Sequence, residues 1–129
     1  MSSKRTKEFA TEQAFQEWTA KEVKALGLFG WHTPNGGHRS KRAGSAMQRA
    51  GTVAGVPDWL FVRRALPSVA IELKLPGGAL SPVQVEWQRR WLEAAGLYYL
   101  VHSTSEFFVA LYDSRLASLS SLLLRGYTR

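Results

Sequence analysis

The spacing of hydrophobic positions predicts that the chain begins with a helix and a short strand. Residues 11–26 carry apolar side chains at helical spacing, and Gly27 follows where such a helix would end. Residues 28–33 predict a short strand, and the Pro-Asn-Gly-Gly sequence of residues 34–37 predicts the turn that follows it. Small residues at helical spacing in residues 43–50 predict a second, short helix.

The middle and end of the chain predict further strands. Residues 58–63 and 69–75 are rich in strand-forming residues and are separated by a connection of hairpin length. Residues 97–102 predict another, aromatic-rich strand, and residues from Ser105 onward predict one or two amphipathic helices.

A helix is predicted between the hairpin and the last strand. Ser81, Pro82 and Gln84 are the residue types of an N-cap, a first helical position and a capping box. This helix is predicted to reach about Ala95 and to end at Gly96. The order of elements predicts an α/β fold, in which a small mixed sheet is flanked by helices on both faces.

Composition excludes several classes of protein. At 129 residues, the chain is long enough for one hydrophobic core and one domain. A content of 45% hydrophobic residues excludes wholesale disorder, and the absence of Cys excludes disulfides and thiolate chemistry. The apolar runs are far shorter than the ~18 residues of a membrane span. Residues 1–8, expected to be a flexible basic N-terminus, lead into no signal-peptide pattern. We therefore expect a cytoplasmic protein with no membrane partner.

Positive charge is concentrated in one part of the chain. The formal net charge is +7, from 17 Lys and Arg against 10 Asp and Glu. Residues 23–57 contain no acidic residue, whereas the rest of the chain is close to balance. A local excess favours a polyanionic partner, although a solubilising basic loop would account for the same charges. The basic residues of this interval are Lys24, Arg39, Lys41, Arg42 and Arg49.

Three charged residues of the predicted hairpin carry the candidate chemistry. Glu72 and Lys74 lie two apart on a strand and therefore share a face. If the hairpin pairs so that Asp58 approaches Glu72, a divalent cation would relieve the repulsion of the two carboxylates. Such a cation can polarise a phosphodiester, and Lys74 would stabilise the charge that develops. An ordinary surface pair of Glu72 with Lys74 is the alternative interpretation.

The order of these residues resembles a known nuclease pattern. Pro57-Asp58, a strand and a turn, and then Glu72-Leu73-Lys74 resemble the motif of the PD-(D/E)XK superfamily. With the Gly-Val-Pro-Asp of residues 55–58 and with residues 78–87, the chain more narrowly resembles the virus-type replication-repair nuclease (VRR-NUC) domain. The resemblance covers most of the chain. It implies that residues 1–129 form a single domain with a restriction-endonuclease-like fold.

The resemblance also implies a metal-dependent DNA endonuclease. Asp58, Glu72 and the main-chain carbonyl of Leu73 would bind Mg²⁺ or Mn²⁺, and Lys74 would assist hydrolysis of the phosphodiester. Gln84 matches a glutamine of the family that supports the hydrolytic water or the substrate phosphate. Its position in the predicted capping box gives it an alternative, structural role.

Two further site residues follow from the resemblance. Glu12 matches an acidic residue on the first helix of the family, with a catalytic or metal-ligating role, although its charge would also stabilise the start of that helix. Helical spacing places Glu12 on the inner face and Glu17 on the opposite one. Asn35 matches an Asn-Gly that contacts the DNA backbone, with a plain turn role as the alternative. The other expected DNA contacts are Arg39, Lys41, Arg42 and Arg49.

Stand-alone members of the resembled family are typically homodimers that act on branched DNA such as four-way junctions. The resemblance therefore implies structure-selective cleavage in replication, recombination or repair, in the cytoplasm of a bacterial or phage-infected cell. A non-catalytic nucleic-acid-binding module with a nuclease-like fold is the alternative. The leucines at the C-terminal end, which include Leu122 and Leu123, are expected to complete the core or form a dimer contact, with core packing favoured.

Overall fold

A computed structural model describes residues 8–34, 46–47 and 49–128. The predicted turn after Pro34 and half of the predicted helix at residues 43–50 lie outside the described residues. The elements in chain order are α1 (Glu12–Leu26), β1 (Gly30–His32), β2 (Trp59–Phe61), β3 (Val69–Leu73), α2 (Pro82–Glu93), β4 (Leu97–Val101), α3 (Thr104–Asp113) and α4 (Leu119–Leu124).

The strands form one mixed sheet in the order β1-β2-β3-β4. Strand β2 pairs antiparallel with both β1 and β3, and β3 pairs parallel with β4. The connection from β3 to β4 contains α2, as a parallel pairing requires a crossover. The predicted α/β fold with a small mixed sheet is confirmed.

Strand β3 is buried along its whole length because helices cover both faces of the sheet. Val69, Ile71 and Leu73 contribute to the core, together with residues of α1, α3 and α4 such as Phe15, Phe107 and Leu122. The alternate positions of β3, Ala70 and Glu72, face the side of α2, where Trp87 lies 6.2 Å from the Tyr98 ring. Glu72 is therefore the one charged residue in a strand that is otherwise apolar and buried.

Helix α1 begins and ends as its sequence predicts. The Thr11 hydroxyl accepts a hydrogen bond from the Ala14 N–H, and Gly27 ends the helix with a φ of +67°, which glycine adopts without strain. The fully buried Thr19 accepts a bond of 2.8 Å from the Trp59 indole N–H. This bond fixes α1 against β2, so the position of the helix relative to the hairpin is specified by a polar contact inside the core.

Helix α2 has the predicted capping box but a different end. Its left-handed residue is Ala95, with a φ of +66°, and its last turn is closed by the Ala95 and Gly96 N–H groups. The helix therefore ends at Glu93, about two residues before the predicted end, and its left-handed residue lies one position before the predicted stop at Gly96. Gly96 is required for a different reason, because a Cβ there would lie 2.3 Å from the indole nitrogen of Trp91.

The C-terminal helices close the core. Leu122 is fully buried, whereas Leu123 is half exposed, so only part of the leucine-rich segment packs inside. A bidentate pair of Arg125 with the buried Glu22, at 2.8 and 3.1 Å, joins this end of the chain to α1. Glu8, assigned from sequence to the flexible N-terminus, accepts bonds from the Thr104 N–H and hydroxyl. No helix in residues 8–34 or in the described part of 46–128 has the length and hydropathy to cross a membrane.

Candidate active site

The hairpin register brings the two predicted carboxylates together. Trp59 pairs with Ile71 in the antiparallel ladder. Asp58, which precedes Trp59, therefore faces Glu72, which follows Ile71, at the end of the ladder. Asp58 Oδ2 accepts a hydrogen bond of 2.7 Å from the Leu73 N–H. The strand geometry therefore holds Asp58 against the residue that follows Glu72, as the sequence-based hypothesis of approaching carboxylates requires.

Glu72 is an unusual carboxylate, because its side chain is buried and only half satisfied. The residue is 3% exposed. Its Oε1 lies 3.4 Å from the Gln84 Nε2 donor, whereas its Oε2 has no hydrogen-bond partner among the described residues. Burial, reinforced by the charge of Asp58, raises the pKa of Glu72 from 4.5 to about 9, and Lys74 opposes only part of this shift. Without a cation, Glu72 is therefore protonated at neutral pH.

Gln84 has both of the roles that the sequence left open. Its side-chain oxygen accepts a bond of 2.8 Å from the Ser81 N–H and completes the capping box. Its amide nitrogen points to Glu72 Oε1. One side chain thus fixes the start of α2 and also contacts the buried carboxylate, so the structural and functional interpretations do not compete.

Gly55 fixes the loop before Asp58 against this same helix end. It has a φ of +85°, and a Cβ there would lie 2.4 Å from the Val83 carbonyl oxygen and 3.1 Å from the Gln84 nitrogen. Only a residue without a side chain permits this approach. The Gly-Val-Pro-Asp segment therefore brings Asp58 and the Gln84 turn together through backbone packing.

An open cleft of about 610 Å³ contains these groups. Its walls come from the ends of β1 and β3, from the residue that precedes β2 and from the first turns of α1 and α2. The lining residues are Glu12, Gln13, Gln16, Glu17, His32, Pro34, Asp58, Glu72, Lys74 and Gln84. A larger groove lies beyond the turn that follows Lys74, but neither Asp58 nor Glu72 lines it. The smaller cleft, which both carboxylates line, is therefore the candidate site.

The first helix contributes more residues than the sequence predicts. Glu12 lines the cleft, as expected, and is exposed. Glu17 also lines it, although it is exposed and lies away from the buried residues of α1, as predicted. The reason is that the cleft extends around the side of α1, where a Gln13 to Glu17 hydrogen bond of 3.3 Å holds these side chains along its wall. Gln16, which the sequence did not single out, lines the same wall with a buried side-chain oxygen that lacks a partner among the described residues.

Tyr98 is a further polar group near the carboxylates that sequence reasoning missed. It lies on β4 opposite Ala70, and its buried hydroxyl has no partner among the described residues. Burial, and then the charges of Glu72 and Asp58, raise the pKa of this hydroxyl. An aromatic residue in a strand is a core signal, so only the register of β4 on β3 could identify Tyr98 as a neighbour of the site.

The donor set for a cation consists of two carboxylates. Within the described part of the chain, no group of three or more His, Asp or Glu side chains is placed to hold a metal ion. Asp58 and Glu72 could nevertheless supply one carboxylate each, and an unpartnered buried oxygen such as Glu72 Oε2 is what a hard cation would satisfy.

Most of the predicted DNA contacts cannot be compared with this geometry. Asn35, Arg39, Lys41 and Arg42 lie outside the described residues, and Arg49 is described and exposed. Lys24, in the last turn of α1, is also exposed. The basic interval therefore stays a sequence-based prediction.

The fold has a relative among solved structures. No family model matches the sequence, and no curated protein matches it either. A solved structure described as a VRR_NUC domain protein superimposes with a TM-score of 0.69 over 83% of this chain and 89% of that one, at 18% sequence identity. The predicted VRR-NUC-like fold is confirmed, and at this identity the likeness concerns the fold.

Proposed function

We propose that this protein is a metal-dependent DNA endonuclease and that Asp58, Glu72 and Lys74 form its catalytic site. The observation that carries the proposal is the buried Glu72 carboxyl, which has an unpartnered oxygen beside Asp58 in a cleft that also contains Lys74. A pair of close carboxyl groups in a buried strand destabilises the protein unless a cation compensates it. The VRR-NUC-like fold adds support, because it is the fold of a nuclease-like domain.

The residues present fit a hard divalent cation. Asp58, Glu72 and the main-chain carbonyl of Leu73 would hold Mg²⁺ or Mn²⁺, which prefer oxygen donors. When bound, the cation would polarise the phosphodiester and make water a better nucleophile at neutral pH. Glu72 must lose its proton to become a ligand, so metal binding at neutral pH is expected to release a proton from this site.

The remaining side chains of the cleft have separate tasks. The Lys74 ammonium would donate hydrogen bonds to the phosphate oxygens and offset the charge that develops on them. Gln84 orients the Glu72 carboxylate through its amide nitrogen, which leaves Oε2 directed away from that bond. Glu12 lines the same cleft from α1, where it would orient water at the edge of the cleft or add a carboxylate for a second cation.

The substrate that we propose is branched DNA, such as a four-way junction, cleaved by a homodimer during replication, recombination or repair. Asn35 and the basic residues Arg39, Lys41, Arg42 and Arg49 would contact the phosphate backbone. Two sites related by a two-fold axis would allow paired strands of a junction to be cut. The cytoplasm of a bacterial or phage-infected cell is the proposed location.

A cleavage assay tests the catalytic proposal. Four-way-junction, flap and linear duplex DNA of equal length are incubated with purified protein in Mg²⁺, Mn²⁺ or EDTA. We expect cleavage with either cation and none in EDTA, and we expect junction DNA to be cut faster than duplex. Asp58→Asn and Lys74→Ala should each lower the rate at least about a hundredfold, as expected for groups that act on the reacting phosphate.

Matched controls separate catalysis from folding and binding. Glu93→Gln removes an exposed carboxylate on α2 and should leave the rate unchanged. Circular dichroism and binding to fluorescent junction DNA should show that Asp58→Asn still folds and binds. Binding without cleavage under every condition would support the binding-module alternative. Sedimentation at increasing concentration tests the homodimer, and a protein that stays monomeric with DNA would contradict it.

A further inference from the structure

A tight turn connects the two elements that carry the candidate catalytic residues. The Gly78 N–H donates a hydrogen bond of 2.9 Å to the Leu75 carbonyl, and Gly77 has a φ of +87°. With Pro76 at its second position, this geometry is that of a type II turn. The turn begins one residue after Lys74 and leads into the helix of Gln84. Its position therefore affects both sides of the cleft.

The turn packs directly on the Lys74 side chain. A Cβ built on Gly78 would lie 3.1 Å from Lys74 Cβ and 3.6 Å from its Cδ. Gly78 therefore lies beside the Cβ and Cδ of the lysine, whose four-carbon stem is otherwise flexible. The turn thus restricts the rotamers of Lys74, and displacement of the turn would release them.

His102 holds this turn from outside the cleft. Its Nε2 lies 2.8 Å from the Gly78 carbonyl oxygen, and because a carbonyl can only accept, Nε2 must carry the hydrogen. On its other side, Nδ1 lies 3.4 Å from Glu106 Oε1, a contact that is a hydrogen bond only when Nδ1 also carries a hydrogen. The Glu106 carboxylate is itself bonded by the Ser103 hydroxyl that caps α3. These contacts form a continuous connection from α3 through His102 to the turn.

The backbone places His102 next to the catalytic strand. The Lys74 N–H donates a bond of 3.0 Å to the Val101 carbonyl, which continues the parallel ladder to the residue before His102. The imidazole nevertheless lines the groove beyond the turn, with Glu8 and Glu106, and does not line the cleft of Asp58 and Glu72. It therefore lies outside the cleft that would hold the phosphate, and its side chain reaches the turn beside Lys74 through the Gly78 carbonyl.

We propose that His102 is a positioning residue for the nuclease reaction. By bonding the Gly78 carbonyl, it locks the turn onto the Lys74 side chain and fixes the entry into the helix of Gln84. This inference rests on the proposed function, and it assigns a role to a histidine that lies outside the cleft of Asp58 and Glu72.

Kinetics of three variants test the proposal. His102→Phe keeps a ring but removes the donor, and it should lower kcat about tenfold to a hundredfold, since small misplacements of catalytic groups have effects of this size. KM for junction DNA should change by less than about threefold, because the phosphate contacts remain. His102→Gln supplies an amide donor at a similar reach and should recover kcat to within about fivefold of wild type. Gly78→Ala, which places a methyl group 3.0 Å from the Leu75 carbonyl oxygen and 3.1 Å from Lys74 Cβ, should lower kcat without altering His102.

A control and two independent measurements distinguish positioning from general destabilisation. Ser105→Ala changes an exposed residue of the same groove and should leave kcat unchanged. Nitrogen NMR should show hydrogen on His102 Nε2, and the Lys74 side-chain resonances should shift in His102→Phe but not in Ser105→Ala. Stabilisation by Mn²⁺ should persist in His102→Phe.

Each outcome has a definite consequence. If the wild type cleaves DNA and His102→Phe retains its kcat, the positioning role is overturned while the proposed function stands. The positioning role would also be overturned if His102→Gln fails to recover kcat and if kcat in both variants falls in proportion to the loss of folded protein. If the wild type shows no metal-dependent cleavage, the proposed function fails, and unchanged Lys74 resonances in His102→Phe would refute the positional contact independently.

Discussion

Replacement of Glu72 by Gln should stabilise the folded protein in the absence of metal. The residue is buried, its folded-state pKa of about 9 lies far above its ordinary value of 4.5, and one oxygen is unpartnered. Between these two values, the folded state holds a proton that the unfolded state has released. Stability therefore falls as pH rises through this interval. A glutamine has nearly the same shape and no proton to lose, so it removes this dependence.

The magnitude follows from the pKa difference. A pH of 7.5 lies about three units above the ordinary pKa that Glu72 has in the unfolded state. At 1.4 kcal/mol per unit, keeping Glu72 protonated in the folded state therefore lowers the stability of the wild type by about 4 kcal/mol. At pH 5 the same difference contributes less than about 1 kcal/mol. Glu72→Gln should therefore be more stable than wild type at pH 7.5, and its advantage should nearly vanish at pH 5.

Urea unfolding in EDTA at both pH values measures this difference. Titrating groups that do not interact with Glu72 contribute equally to wild type and variant, so they cancel in the comparison. Glu93→Gln, which removes an exposed partner of Arg89, should change stability by less than about 1 kcal/mol at either pH. Saturating Mg²⁺ should stabilise wild type by about 3 kcal/mol at a hundred times its Kd, and should leave Glu72→Gln unchanged. If Glu72→Gln is no more stable than wild type at pH 7.5, or if the stability difference is the same at both pH values, Glu72 is not a buried carboxyl that lacks charge compensation.

Further predictions concern backbone positions and a buried ion pair. Gly55→Ala should lower both stability and the Mg²⁺-dependent cleavage rate, because its methyl group would meet the Val83 carbonyl; normal cleavage would contradict this. Gly96→Ala should destabilise by about 1 to 3 kcal/mol through overlap with Trp91, whereas Ala95→Gly should stabilise by about 1 kcal/mol, both measured in urea. Arg125→Ala should destabilise by about 1 to 3 kcal/mol, because Glu22 would stay buried without its partner; a loss that Glu22→Gln does not reduce would contradict the pair.

Local signals sufficed where an element depends on its own residues. The first helix spans nearly the predicted residues 11–26 and ends at Gly27 as predicted, because the Thr11 cap hydroxyl and a left-handed glycine each act within one turn. At the end of α2 the rule that glycine takes the left-handed position failed, since Ala95 takes this conformation. Gly96 is needed there because the Trp91 ring leaves no room for a side chain. Glycine signals a need for space as well as a need for positive φ, and sequence does not separate the two.

Residue type and a period of two were enough to predict the mixed α/β fold, the hairpin, and the alternation that places Glu72 and Lys74 on one face. Tertiary structure decided the rest. The burial of Glu72 depends on helices that cover both faces of β3, and the cleft wall of Gln16 and Glu17 depends on where α1 is fixed by Thr19. The His102 contact depends on a parallel register between strands far apart in sequence. Burial and long-range register are properties of packed elements, and no local pattern encodes them.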